Sequence, residues 1–576
     1  MIRDHTALAI AITLAAAAAM PQVRDTARPA AATASLAGTV LVAGTPAQPA
    51  RRVRVTLTDV THATPGQTTT TDDSGAFAFR AVAPGRYDLQ AFKNGYLRSS
   101  YGALRPDRAG TAIVVKEHDA LTHLTMTIAR GGVITGVVRD GRGRPIPGMN
   151  VRVLKLGYDA VTGEPSLSVP ATSVVGPTDD RGEYRAFGLP PGGYLVMVNP
   201  SNGRSLGPGD DIRDSTGARV TFAPVFHPGA SDVSAAATIP LGAGEERAGV
   251  DVILQPLPTA TISGTITSLS GELLSSPSVR LVPAGPRASL LAAAGLRAQS
   301  AQPHAGARYE IAGVAPGTYT VMASTGGGRG GRSGNATDAP SLSAAVEIVV
   351  GGQDLDVPLT LQPDVPVRGR VVFDGPAPSP AELQKLSFAL VPLGSGGAAQ
   401  WSAGGRVDAD GRFGFAGVPP DNYRFVETWN SPGAGEKWAI TSSTANGRDA
   451  LDSPLRVTAN EPVDWTIAYS SRPSVVQGVF ADRAGRAATE YTVLVFPADR
   501  RFWTPGSRRV RLTRPGTDGR FHVAGLPAGD YFIAALADLE PGEWNDPTVL
   551  DSLVRWSIAI AVRDGETTTQ NVRVGG

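Results

Sequence analysis

One phrase recurs five times along the 576-residue chain, and it limits the possible folds more than any other feature. Its copies lie at 72–89, 179–198, 308–321, 408–426 and 518–533, and the fullest reads DDRGEYRAFGLPPGGYLVMV. Two aromatics ten residues apart anchor each copy: Phe77/Tyr87, Tyr184/Tyr194, Tyr309/Tyr319, Phe413/Tyr423 and Phe521/Tyr531. Upstream of each stands a strand-like opening with a central glycine: LAGTV (36–40), ITGVV (134–138), ISGTI (262–266), VRGRV (367–371) and VQGVF (476–480). The opening glycines Gly38, Gly136, Gly264, Gly369 and Gly478 follow one another at 98, 128, 105 and 109 residues. Solenoid repeats run to about 20–50 residues. A period near 100 is therefore a whole domain.

The phrase itself reads as turn, strand, turn, strand. Asp72 to Gly75, Asp179 to Gly182, Asp410-Gly411 and Asp518-Gly519 supply an Asx hydrogen bond and a residue tolerant of positive φ. The third copy departs, with Ala305 and Ala307 in the Asp and Gly places. An alternating strand follows, then a Pro-Gly turn such as Pro190 to Gly193, which predicts a hairpin at the heart of a sandwich. Each repeat closes on a short strand: LTMTI (124–128), VDVIL (250–254), VPLTL (357–361), VDWTI (463–467) and NVRV (571–574). Short strands separated by turns every 8–12 residues predict Greek-key β-sandwiches. The expected fold is all-β, five Ig-like sandwiches as beads on a string, at 34–130, 131–257, 258–363, 364–472 and 473–576. Helix is expected only at 289–298, 379–386 and 546–556, the last with Asp546 as N-cap and Pro547 in the first turn.

The combination of I-x-G-x-V, D-x-x-G-x-Y and G-L-P-P-G-x-Y resembles the carboxypeptidase regulatory-like domain. The resemblance covers about 540 residues in five copies. It implies a transthyretin-like sandwich grouped with the carbohydrate-binding-like folds, serving as an accessory, adhesive or stabilising module of a bacterial exported protein. Fold alone does not assign function.

Arg3 and His5 precede an apolar run from Ala7 to Met20, followed by the polar stretch PQVRDTARPAAATAS. The run is shorter than the ~20 residues a spanning helix needs. It reads as a signal peptide and linker over residues 1–33, giving a secreted mature chain without a transmembrane segment, in the periplasm, on the outer surface or extracellular. The 53 basic and 52 acidic residues leave a net charge of +1, so no global field draws the chain to nucleic acid. Cysteine is absent, which excludes disulfides, thiolate zinc sites and a cysteine nucleophile.

Zinc-peptidase and P-loop signatures are missing as well. None of the seven histidines has a glutamate three residues on, and no phosphate-binding P-loop occurs. No metal and no cofactor are expected. GGGRGGRSG (326–334) reads as an inter-strand loop. Seven arginines between Arg500 and Arg520, with Phe502 and Trp503 among them, read as a solvated hairpin, with an anionic glycan or phospholipid surface as the alternative.

All seven tryptophans lie in the last two repeats. Strand phase turns Trp465 and Trp556 toward cores, and the other five fall in or beside loops. Trp401, Trp429 and Trp438 are the candidate ligand-binding residues: the two indoles that flank the loop NSPGAGEK (430–437) would frame a concave edge on which a sugar ring could stack. The expected function is that of a non-catalytic structural, adhesion or docking protein at the cell surface. The alternative is a carbohydrate-binding protein using loop tryptophans of the fourth and fifth repeats. Glycans or other cell-envelope proteins are the candidate partners, and nucleic acid is not.

Overall fold

The computed structural model describes residues 34–573 apart from 45, 62–64, 159–162, 164, 200–211, 214–218, 223, 232, 272–276, 285–298, 302–306, 326–340, 394–403 and 431–436. The expected signal peptide, the 289–298 helix and the 326–334 glycine-rich loop thus lie outside the described residues. What is described is mostly strand, arranged as five tandem β-sandwiches. Each encloses its own apolar cluster, centred in chain order on Leu36 and Leu89, on Ile134 and Val196, on Ile262 and Tyr309, on Phe388 and Trp465, and on Phe480 and Phe521.

The opening strands are Ala34–Val42, Gly132–Asp140, Ala260–Ser268, Val365–Asp374 and Val475–Ala481. Each pairs antiparallel with the first strand of the phrase and parallel with the closing segment of its sandwich. Parallel first and last strands put the start and finish of a sandwich at opposite ends, which lets a short linker lead into the next.

The register explains the opening glycines. Gly38 pairs with Phe77, Gly136 with Tyr184, Gly264 with Tyr309, Gly369 with Phe413 and Gly478 with Phe521. A Cβ on Gly38, Gly136, Gly264 or Gly478 would lie 2.0, 2.0, 2.1 and 1.9 Å from the carbonyl oxygens of Leu124, Val250, Val357 and Gln570 on the closing segments. At Gly369 the obstacle is the Phe413 ring, 2.2 Å away. Tyr184 and Tyr309 also donate their hydroxyls to the Val250 and Val357 carbonyls, at 2.6 and 2.7 Å. Glycine, aromatic ring and closing-strand carbonyl form one packing unit.

The two strands of the phrase do not pair with each other, so the expected hairpin is an arch. Ala76–Val82 joins the opening strand, whereas Gly85–Phe92 joins Arg54–Asp59 in the facing sheet. The second, fourth and fifth copies likewise divide between two sheets. The second aromatic holds the corner: Tyr87 donates to the Ala83 carbonyl at 2.9 Å, Tyr423 to Pro419 and Tyr531 to Pro527 at 2.8 Å, and Tyr194 to Pro190. Proline has no N–H to give to a hairpin ladder, and the tyrosine hydroxyl satisfies the carbonyl left at the corner.

The preceding turn also differs in detail from the expected one. In the fourth copy Asp408, not Asp410, accepts the turn N–H groups, from Asp410 at 2.9 Å and Arg412 at 2.7 Å. Asp72 and Asp179 cap their turns in the same way. The glycine place of the turn is left-handed, and Ala307 takes it in the third copy with φ 55°. Helices form at Pro380–Leu383, where Ser379 and Glu382 make a capping box, and at Pro547–Val554, capped by Asp546.

Two substitutions check this account by denaturant unfolding. Gly136→Ala should cost at least about 1–3 kcal/mol, because its methyl meets backbone that cannot yield as a side chain would. Ala307→Gly should gain about 1 kcal/mol by removing a left-handed alanine. A neutral Gly136→Ala would contradict the packing unit.

Candidate functional site

The arginine-rich stretch of the fifth sandwich is not a solvated hairpin. Arg508 and Arg509 reach the fourth sandwich and share Asp452, through N···O contacts of 2.8 and 2.7 Å. Burial alone would raise the Asp452 pKa. Hydrogen bonds and charge from both arginines outweigh it and hold the carboxyl below its ordinary range. The attraction is therefore present above the unfolded carboxylate pKa and is lost only as pH falls through the lower folded value. Arg509 also lies over the Phe502 ring, 4.1 Å from its centroid. Arg500 and Arg501 pair locally with Asp551 and Asp499.

The same sandwich closes on the first. Arg105 pairs with Asp538 at 2.6 Å, and Arg108 bridges Asp538 and Glu540. Arg514 donates to the carbonyls of Ala109, Gly102 and Thr489. Thr517 adds two bonds to the edge strand Ile113–Val115, its N–H donating to the Ala112 carbonyl at 3.0 Å and its hydroxyl accepting from the Val114 N–H at 3.1 Å. A third contact runs to the second sandwich, where a Cβ on Gly163 would meet Gly506 N at 2.3 Å and one on Gly542 would meet Tyr158 Cβ at 2.4 Å. The five sandwiches keep their tandem order, but the string folds back through its last bead. Sequence reasoning missed this because it depends on which loops face one another, and no repeat landmark records that.

Between the first and fifth sandwiches lies a cleft of about 940 Å³. One wall is the outward face of Gly85–Phe92, where Arg86, Asp88 and Gln90 alternate with the inward Tyr87, Leu89 and Ala91. The opposite wall brings Leu512, Arg514 and Trp544.

The tryptophans predicted to hold a ligand stand elsewhere. Trp401 lies outside the described residues. Trp429 and Trp438 do come together, but they stack on each other, 5.4 Å between centroids and 18° between planes. Their facing surfaces are thus occupied. Trp438 is buried and Trp429 packs against the fourth core, with its ring edge-on to Tyr469. The Tyr469 hydroxyl donates to Glu427 at 2.6 Å, while burial pushes the Glu427 carboxyl up. Trp465 is fully buried as expected and donates to Ser443. Trp503 is buried too, donating to the Pro497 carbonyl. Trp556 contradicts its expected phase and is 74% exposed, because it stands in the turn between the Pro547–Val554 helix and the strand Ile558–Val562. Among the described residues, no three His, Asp or Glu side chains gather as a metal site would require.

The architecture is that of a tandem-sandwich protein, and its first unit matches the model of a known domain family. Residues 35–123 match the family model for the carboxypeptidase regulatory-like domain. No curated protein sequence matches the chain. Among solved structures, the Bacillus anthracis TIE protein is 12% identical, covers 74% of this chain and 69% of its own, and has a TM-score of 0.14. A shaft pilin of Lactobacillus rhamnosus GG is 13% identical over 39% of this chain and 98% of its own, with a TM-score of 0.19. A minor pilin of Streptococcus agalactiae is 14% identical over 39% and 97%, with a TM-score of 0.22.

Trp438→Ala separates edge packing from a sugar platform. Packing gives a loss of about 3–5 kcal/mol in the stability of the fourth sandwich, read by thermal unfolding. An unchanged melting temperature with loss of glycan retention would restore the platform.

Proposed function

We propose that this chain is an exported, non-catalytic structural and docking protein of the cell envelope. It is built of five carboxypeptidase regulatory-like sandwiches, with boundaries near residues 130, 257, 363 and 472. The observation that carries the reading is how the charged side chains of the fifth sandwich are used. Arg508, Arg509 and Arg514, with Asp538 and Glu540, hold neighbouring sandwiches. The fivefold glycine–aromatic unit supports assigning all five sandwiches to one domain type. Among the described residues no helix is long and apolar enough to cross a membrane. Export rests on the residues 1–20 pattern of a basic start and a short apolar run.

Fractionation of the native host tests this directly. The protein should appear in the envelope or medium with its N-terminus between about residues 20 and 34, as a signal peptide requires. Purified, it should be inert toward ester, peptide and glycoside substrates. Cytosolic protein retaining Met1, or turnover abolished by one substitution, would overturn the reading.

A further inference from the structure

We propose that the cleft between the first and fifth sandwiches binds an extended acidic oligosaccharide, with Arg86 and Arg98 meeting its carboxylates and Trp544 covering a ring face. The cleft holds about 940 Å³, within the usual range for a ligand site. Most of its charge is already spent. Asp538 and neighbouring Glu540 are taken up by Arg105 and Arg108, and Glu490 stands near Arg514. The guanidinium groups of Arg86 and Arg98 make no ion pair or hydrogen bond among the described residues. Asp107 and Asp88 also line the cleft and would repel a ligand of uniform negative charge. That disfavours a uniformly charged polyanion and suits a chain with spaced carboxylates and neutral hydroxyls between them.

Geometry sets the ligand's length. Arg86 lies near the start of Gly85–Phe92, and Arg98 precedes Ser99, which pairs with Ala91. In that register Arg98 falls opposite Phe92, six residues of strand from Arg86, about 20 Å at ~3.4 Å per residue. A monosaccharide cannot reach both cations, whereas an oligosaccharide lying along the strand can. Between them Gln90, exposed on the same face, offers an amide to sugar hydroxyls.

Trp544 decides the class of ligand. It is half-buried, resting against the satellite cluster of Phe496, Trp503 and Leu550, and its indole N–H has no protein partner among the described residues. An aromatic held in place at a cleft wall, with its N–H unspent, suits a sugar ring, which offers an apolar face and hydroxyl acceptors together. An acidic peptide would use the arginines and leave the indole idle. A neutral sugar would do the reverse. A uronic acid oligomer uses both.

Calorimetry on the full-length protein tests this with three probes: an oligogalacturonate of about five residues, its methyl ester and a glutamate pentapeptide. The acid should bind with a dissociation constant between about micromolar and millimolar. The ester and the peptide should each bind at least tenfold more weakly. Raising the salt should weaken the acid, as expected for ion pairing near a surface. The double variant Arg86→Gln/Arg98→Gln should lose at least tenfold with an unchanged melting temperature, while Arg412→Gln on the fourth sandwich should change nothing. Equal binding of acid and ester, equal binding of the peptide, or no heat from any probe would overturn the proposal. None of these results touches the envelope-protein reading, which stands or falls on export and on the absence of turnover.

Discussion

Everything in a single sandwich leans on one cross-strand contact. An opening-strand glycine lies opposite an aromatic ring, and in four of the five copies a closing-segment carbonyl occupies the space its side chain would have filled. That contact joins three segments distant in sequence and sets the register of the sheet they share. A one-residue slip would move the aromatic off the glycine and turn each core-facing side chain outward. The second aromatic completes the frame by tying the corner between the two sheets. The repeated phrase therefore encodes the two places where chain direction and strand pairing are decided.

These landmarks made the fold legible, since glycine and tyrosine at fixed spacing reflect steric demands that hold in any context. The pairing partner of the phrase was not legible. A Pro-Gly turn between two strands fits a hairpin and an arch equally well by local pattern, and the difference lies in long-range pairing with Arg54–Asp59 and its counterparts. Trp556 shows the same limit: alternation holds only inside a strand, and the strand begins two residues later, at Ile558. For the candidate site, Trp429 and Trp438 do meet, but spacing cannot say whether two indoles face each other or a ligand. The residues lining the cleft, Arg86, Arg98 and Trp544, come from opposite ends of the chain and share no motif.

Contacts between sandwiches are of another kind from those within them. Cores are apolar and separate, while the surfaces that meet are joined by arginine pairs and backbone hydrogen bonds. Exposed ion pairs contribute little singly. Arg509 and Arg108 are better placed, with side chains only 13% and 15% exposed. The preponderance of arginine over lysine suits this work, because a planar guanidinium can serve a carboxylate and carbonyls at once. These contacts frame the cleft between the first and last sandwiches, which a freely jointed string would not keep.

That closure is the claim on which the functional account rests, and the absence of cysteine makes it measurable. Spin labels on a Glu117→Cys/Arg520→Cys double variant report the separation of the first and fifth sandwiches, both positions being exposed. Pulsed dipolar spectroscopy should return one narrow, short distance, broadening when Arg514→Gln and Asp538→Asn are added. A broad distribution in the otherwise unaltered protein would show that the sandwiches move independently, and the closed arrangement would be wrong.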